Sequence, residues 1–377
     1  MACVHIPLLI IILGKKQSIQ PIFNKTSIEQ VTKYKYLGNI ISAIESNRSS
    51  ILQNNTPYLE ENARRAIFGI KHRICNIGSL SPQIMLCLFD TLVKPVITYG
   101  SEVWGVSRKS RDRTDKLYLQ YVRNILNIKP STSKLITYGE CEKVPLSNSI
   151  IQSSVCFLNR IHHKSHNCIV KKVYLELLKL HELGFKTWVT NGYQLLSMYG
   201  LNFDSNLGNF KKNCKQIMNN TFINNWTREL NNIEKNPILR TYCNIKTSFK
   251  MEPYLRKVKN VKYRNAICKL RSSSHNLEIE RGRHCKPSRP VRDRLCSTCN
   301  VVEDEIHFIT NCKLYNYERA KLFVKISTVI PEFELMPVNE KFIFLMCCDN
   351  EQILTWVGKF IYQAFEKRDS SIPVDVL

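Results

Sequence analysis

The sequence predicts a mainly α-helical protein with a short β-hairpin near the N-terminus and a small C-terminal zinc knuckle. Three observations predict it. From residue 58 onward, apolar side chains recur at i, i+3 and i+4 through most of the chain. Residues 18–44 alternate weakly and carry β-branched and aromatic residues. Residues 296–312 contain the spacing Cys296-x2-Cys299-x7-His307-x4-Cys312.

In chain order, Ile6–Leu13 is an apolar run of eight residues, short of the roughly 20 that a spanning helix needs. It lacks a basic stretch before it, and Lys15 and Lys16 follow it, so it reads as a buried strand or a truncation edge before it reads as a signal segment. Two short strands are expected around the polar turn Asn24-Lys25-Thr26. A helix is expected over 58–77, with Leu59, Ala63, Ala66, Ile67, Ile70 and Ile74 on one face. Ser81-Pro82 marks a helix start, a capping hydroxyl followed by proline where a missing N–H costs nothing. That helix is apolar nearly all round, and Pro95 should end or kink it after Lys94.

Further helices are expected over 112–128, 147–163, 168–183 (stopped by Gly184), 185–199, 206–234, 254–272 and 350–367. Residues 273–290 read as loop and 368–377 as a polar tail. The organisation expected is a hairpin segment over 1–45, helical regions over 46–145 and 146–255, a basic segment with the knuckle over 256–325, and a helical tail over 326–377.

Lys and Arg number 55 against 31 Asp and Glu, giving a formal net charge of +24. Such a field attracts phosphate, anionic lipid surfaces or acidic proteins, and nucleic acid is the commonest such partner of an intracellular chain. No stretch is long enough to span a membrane, so the expected place is the nucleus or cytoplasm. The 15 cysteines form an odd count and no dense framework, which argues against a secreted disulfide protein. Most are scattered singly in apolar helical patterns, as are Cys75, Cys87, Cys156 and Cys268, and read as small buried hydrophobes.

Cys296, Cys299, His307 and Cys312 are different. Two thiolates on a tight turn grip one ion, and a histidine and a third cysteine close a tetrahedron. In a reducing compartment Zn²⁺ is the natural occupant, one per chain. Four protein ligands leave no open position, so the site reads as structural. The alternative is a pair of free thiols with His307 packed beside Phe308. His284 and Cys285 are nearby spare candidates that read as solvated loop residues.

Ahead of the knuckle, residues 256–294 hold 13 Lys or Arg and 3 acidic residues. The basic residues are Arg256, Lys257, Lys259, Lys262, Arg264, Lys269, Arg271, Arg281, Arg283, Lys286, Arg289, Arg292 and Arg294. They are candidate phosphate contacts, and Tyr254 and Tyr263 could stack on single-stranded bases. The bland alternative is a solvated helix face followed by a flexible loop.

Several segments in order carry a family resemblance. They are Tyr34-Lys-Tyr-Leu-Gly38, Asn62-Ala-Arg-Arg-Ala-Ile-Phe-Gly69, the run from Leu88 to Gly105, Tyr138-Gly-Glu140, and Arg283 to Cys312 with Glu303-Asp-Glu-Ile-His-Phe308. From about residue 18 to 325 the chain resembles the C-terminal part of the reverse transcriptase polyprotein of non-LTR (LINE-type) retrotransposons. The resemblance implies that Tyr34, Lys35, Tyr36, Leu37 and Gly38 belong to a hairpin of primer-grip type. It implies that the next helices form a thumb/linker-like bundle on template–primer, and that the four ligands are the family's CCHC zinc knuckle.

The chain departs from the family in having no Asp-Asp pair, the palm motif that holds two Mg²⁺ ions for nucleotide transfer, and too few residues before Tyr34 to build a palm. The expectation is therefore a remnant with no catalytic residues, not an enzyme, that binds RNA or single-stranded or primer–template nucleic acid. Two rivals stand beside it. One is an accessory part of a polymerase whose palm comes from another chain. The other is a helical interaction protein using the acidic–aromatic stretch after residue 331.

Overall fold

In the computed structural model the described residues are 31–42, 55–75, 78–232, 234 and 236–370, with backbone alone for 9–10, 22–23, 26–27, 29–30 and 371. Among them the chain is mostly helical. Two compact units are each assembled from separate stretches. The first comprises Met1–Ile77, Cys87–Tyr118 and Pro145–Asn220, and the second Gly78–Leu86, Leu119–Val144 and Thr221–Leu377. The expected segments 46–145 and 146–255 each span both units, because periodicity along the chain carries no information on which helices pack together.

In the first unit, Lys33–Tyr36 pairs antiparallel with Asn39–Ser42, Tyr36 lying opposite Asn39. The two-residue loop Leu37-Gly38 has φ of 44° and 84°, the left-handed pair that suits the twist of a tight hairpin. Ile22–Phe23 and Thr26–Ser27 form another antiparallel pair, so Thr26 opens a strand where a turn residue was expected. Asn24 and Lys25 lie outside the described residues. So does most of the apolar run Ile6–Leu13, of which Leu9–Ile10 is a strand pairing in parallel with Glu29–Gln30.

The Lys33–Ser42 hairpin is held by Asn55, which opens the helix Asn55–Cys75. Its Oδ1 accepts from Ile40 N at 2.9 Å and its Nδ2 donates to Asn39 Oδ1 at 3.0 Å. Beyond it, the helix that opens at Pro82 passes through Pro95 to Ile97. A π-turn over Phe89–Val93 precedes the proline, with Lys94 N donating to Phe89 O. Widening the turn there accommodates a residue that has no N–H to give.

The core of this unit lies on Leu146–His162, where Ile151, Val155, Leu158 and Ile161 make one apolar stripe. It packs with Tyr174, Val189, Leu195, Phe210 and Met218. The helices Ile169–Glu182, Trp188–Met198 and Leu207–Leu230 fall within a few residues of the periodic patterns. Cys75 and Cys87 are exposed and Cys156 is half-buried, whereas Cys141, Cys214 and Cys268 are buried as expected.

The second unit is built on the close approach of Val261–Arg271 to Glu351–Ser371. A Cβ on Gly358 would come within 2.9 Å of Tyr263 Cβ and 3.0 Å of its carbonyl oxygen, a spacing only glycine permits. The expected helix 254–272 is broken into Pro253–Lys257 and Val261–Arg271, because Asn260 caps the second piece by accepting from Lys262 N and Tyr263 N. The expected loop 273–290 contains the helix Glu278–His284. Lys134–Cys141 and Val338–Cys347 fall inside the expected helical regions where no individual helix is expected, and Glu305–Thr310 and Asn316–Ser327 flank the last ligands. Among the described residues no helix is long and apolar enough to cross a membrane.

Candidate metal centre

The first two ligands come from a turn. Cys296 N donates to Val301 O at 2.8 Å and Asn300 N donates to Cys296 O at 2.9 Å, with Leu295 and Val302 bridged antiparallel across the base. Asn300 has φ 56°, a left-handed conformation that asparagine tolerates better than most residues. His307 comes from the helix Glu305–Thr310, whose first turn Asp304 caps by accepting from His307 N at 2.8 Å. Cys312 follows that helix directly, its N–H donating to His307 O at 2.9 Å.

These elements bring all four predicted ligands together: their ligand atoms lie within 4.8 Å of one another. Cys296 Sγ and Cys312 Sγ are 3.8 Å apart, and Cys299 Sγ and Cys312 Sγ 3.9 Å. A tetrahedral ion with metal–sulfur bonds of about 2.3 Å has sulfur–sulfur edges of about 3.8 Å. A disulfide would need about 2.05 Å, and all three cysteines are free.

The buried Nε2 of His307 has no hydrogen-bond partner, as expected of an atom that completes a ligand set. Burial lowers the His307 pKa, which favours the neutral ring a metal needs. Burial also pushes the Cys312 thiol up to about 12, helped by Cys296 and Cys299 beside it. The Cys299 thiol is lowered: its slight burial opposes this, but the Lys313 N–H, 3.3 Å from Sγ, and the neighbouring thiols outweigh it. The group can therefore hold one metal ion, which would deprotonate the thiols on binding.

The motif around the ligands is explained letter by letter. Glu303 receives a two-pronged contact from Arg368, Nε at 2.8 Å and Nη2 at 2.7 Å. Glu305, fully enclosed, accepts from Arg240 Nη2 at 2.5 Å and from His275 Nε2 at 3.0 Å. Phe308 packs on Tyr315 and Phe365. The knuckle is thus bolted to the surrounding helices.

The 13 basic residues ahead of the knuckle do not form one open cationic face. Arg271 is completely enclosed, bonding Glu140 at 2.9 Å and Glu252 at 2.8 Å. Arg264 is buried and donates to Val258 O, and buried Arg294 donates to Ile279 O and Arg289 O. Arg281 and Arg289 share Glu278, Arg283 takes Glu280, and Lys257 takes Asp349. Arg292 lies 3.8 Å from Asp293.

Arg256, Lys259, Lys262 and Lys286 stay exposed, with Lys269 half-buried. Tyr254 is also enclosed, its hydroxyl donating to Glu140 Oε2 at 2.6 Å, and Tyr263 packs against Tyr362, so neither is an open stacking platform. The three acidic residues of the segment, with Glu140 and Glu252 from elsewhere, absorb much of the charge that a count along the chain credits to a ligand. His284 and Cys285 are exposed and outside the ligand group.

In the first unit, Tyr34, Lys35 and Gly38 sit on the Lys33–Ser42 hairpin, with Tyr36 56% and Leu37 72% exposed. Lys35 reaches over the Tyr58 ring. Sequence reasoning missed three residues of the metal centre: Asn300, Tyr315 and Arg319. Only Asn300, a left-handed-tolerant residue directly after the second cysteine, left a signal. No protein-family model, curated protein or solved structure matches this chain.

Proposed function

We propose that this chain is an intracellular zinc-knuckle protein that binds RNA or single-stranded nucleic acid, as a relative of the retrotransposon family it resembles. Three thiols and one imidazole with tetrahedral edges suit Zn²⁺ better than the oxygen-seeking cations. The observation that carries the nucleic-acid reading is a stripe that begins at the residue after the last ligand. Lys313, Tyr317, Lys321 and Lys325 are all exposed. Lys321 Nζ lies 4.0 Å from the Tyr317 ring centroid, and Tyr317 is 68% exposed.

An open aromatic face flanked by lysines stacks a base while its cations meet the adjacent phosphates. The net charge of +24 adds long-range attraction. With no Asp-Asp pair in the chain, no polymerase step is assigned to it.

The test is salt-titrated binding of the full chain to single-stranded RNA, single-stranded DNA and duplex. Expected is a preference for single strands, with affinity falling steeply as salt rises. Affinity no higher than that of a neutral control protein at low salt would overturn the reading. A second reading, a helical protein-interaction module, is favoured by the exposed Ile169, Val173, Leu180, Leu183 and Phe185. It would show as self-association or partner binding in light scattering that is lost in V173K/L180K.

A further inference from the structure

Beyond the last ligand, the chain follows one buried stripe. Cys312, Tyr315, Arg319, Leu322 and Ile326 are buried, while Lys313, Tyr317, Lys321 and Val324 between them are exposed. Steps of three and four residues keep a helical path on one face, so Arg319 is carried inward on the same side as Cys312. Only 7% of Arg319 is exposed.

Its Nη2 donates to Asn316 Oδ1, but the buried Nη1 has no partner. The Tyr315 hydroxyl and His307 Nε2, around the same cysteines, are likewise buried without partners. The carboxylates of the neighbourhood are already engaged, Glu303 by Arg368 and Glu305 by Arg240 and His275. Arg319 lies within electrostatic reach of Cys312 and Cys299, which become anionic when they bind a metal.

A buried cation without an anion is strongly unfavourable, whereas one beside a compensating charge is tolerated. Three thiolates, a neutral imidazole and a divalent ion sum to a charge of −1, which one guanidinium brings to zero. We propose that Arg319 is the counter-charge of the loaded metal centre, with Nη1 the donor available to a thiolate sulfur, so that it strengthens metal retention and shields the sulfurs from electrophiles. This rests on reading Cys296, Cys299, His307 and Cys312 as a metal site.

The experiment uses the full chain loaded with Zn²⁺. Zinc affinity is read by competition with a chromophoric chelator, and sulfur reactivity by zinc release under N-ethylmaleimide. R319Q is expected to lose roughly 10–100-fold in affinity, as for other groups that orient or neutralise metal ligands, and to release zinc several-fold faster, with helical content unchanged. R319M keeps the packing of the side-chain stem and carries the same test if R319Q does not fold.

The charge role is separated from a packing role by Cys299→His. With one thiolate fewer the loaded centre is already neutral, so the loss caused by R319Q should shrink to a few-fold or reverse. Equal losses in the two backgrounds, or an R319Q affinity within twofold of the parent, would overturn the proposal. A parent chain that binds no zinc would sink the metal reading and this inference with it. A parent that binds zinc while R319Q is neutral sinks only the inference.

Discussion

Arg271 and Glu140 meet at 2.9 Å with neither side chain reaching solvent, although 131 residues separate them in the chain. Arg271 Nε also reaches both carboxylate oxygens, and Nη1 donates to Met346 O at 2.5 Å. Glu252, Lys246 and the Tyr254 hydroxyl complete the network. Removing one partner of a buried pair leaves an uncompensated charge and costs about 3–5 kcal/mol. Arg271→Met should therefore destabilise the second unit by about that much in urea denaturation. Replacing Glu140 by Met in the same chain should recover part of the loss. A single variant within 1 kcal/mol of the parent would contradict the network's role.

Acid should act through the same carboxylate. Burial alone would raise the Glu140 pKa, but the charge and hydrogen bonds of Arg271, with Lys246 and Tyr254, outweigh it and hold the group below the usual range. A carboxyl depressed in the folded state contributes stability in full above its unfolded value of about 4.3 and loses it as pH falls through the folded value. Melting temperature should therefore drop below about pH 4 more steeply in the parent than in Glu140→Gln. Both proteins are measured in the same chelator-free buffers, so metal loss is common to them.

Gly139 tests the packing beside that pair. A Cβ there would lie 2.8 Å from the Trp226 ring and 2.9 Å from the Tyr242 hydroxyl. Trp226 Nε1 is fixed by a 2.8 Å bond to Leu135 O, so the ring has little freedom to retreat. Gly139→Ala should cost about 1–3 kcal/mol despite alanine's better helix propensity. Thermal unfolding that is unchanged or shifted upward would show that the ring does yield.

For the metal, about one zinc per chain is expected by elemental analysis. Cys299→Ser should lower that occupancy and increase amide exchange over residues 290–315, leaving the helices around Arg271 protected. The ion pairs of Glu303 and Glu305 should hold the knuckle's base after the metal is removed. Global unfolding on chelation would mean that the metal, not these pairs, organises the region.

The arginines and lysines should separate in binding assays. Lys313→Gln with Lys321→Gln should lower the salt slope for single strands by about 0.7 per lost phosphate contact without loss of stability. Changing Arg281, Arg283 and Arg289 to Gln should instead destabilise the fold, because these side chains hold Glu278 and Glu280. A changed salt slope with unchanged stability in the arginine variant would return the contact surface to residues 256–294.

How much of this was legible depended on the range of the interaction. The ligand set was readable because Cys296 to Cys312 is local in sequence and each residue type has one dominant use there. The amphipathic helices were readable for the same reason, since a stripe such as Ile151, Val155, Leu158 and Ile161 repeats within a few turns. The tyrosine–glycine–glutamate and Glu303–Phe308 segments were visible as patterns, but their roles were not. Glu140 acquires its role from Arg271, Glu303 from Arg368 and Glu305 from Arg240, and spacing along the chain pairs none of these. The same blindness inflated the basic segment: counting charges along a chain cannot see which of them are neutralised across a fold.

The separation of Glu140 from Arg271 has a consequence for how the protein is made. At a synthesis rate of about 5–20 residues per second, the separation of 131 residues delays the arginine by roughly 7–26 s. When Glu140 and Tyr138 emerge, the neighbours of that segment, Trp226, Tyr242 and Tyr254, have yet to be made. The stretch 145–220, which belongs to the first unit, is delivered in the meantime. The second unit can therefore complete the Glu140–Arg271 pair only after the whole of that stretch has been synthesised.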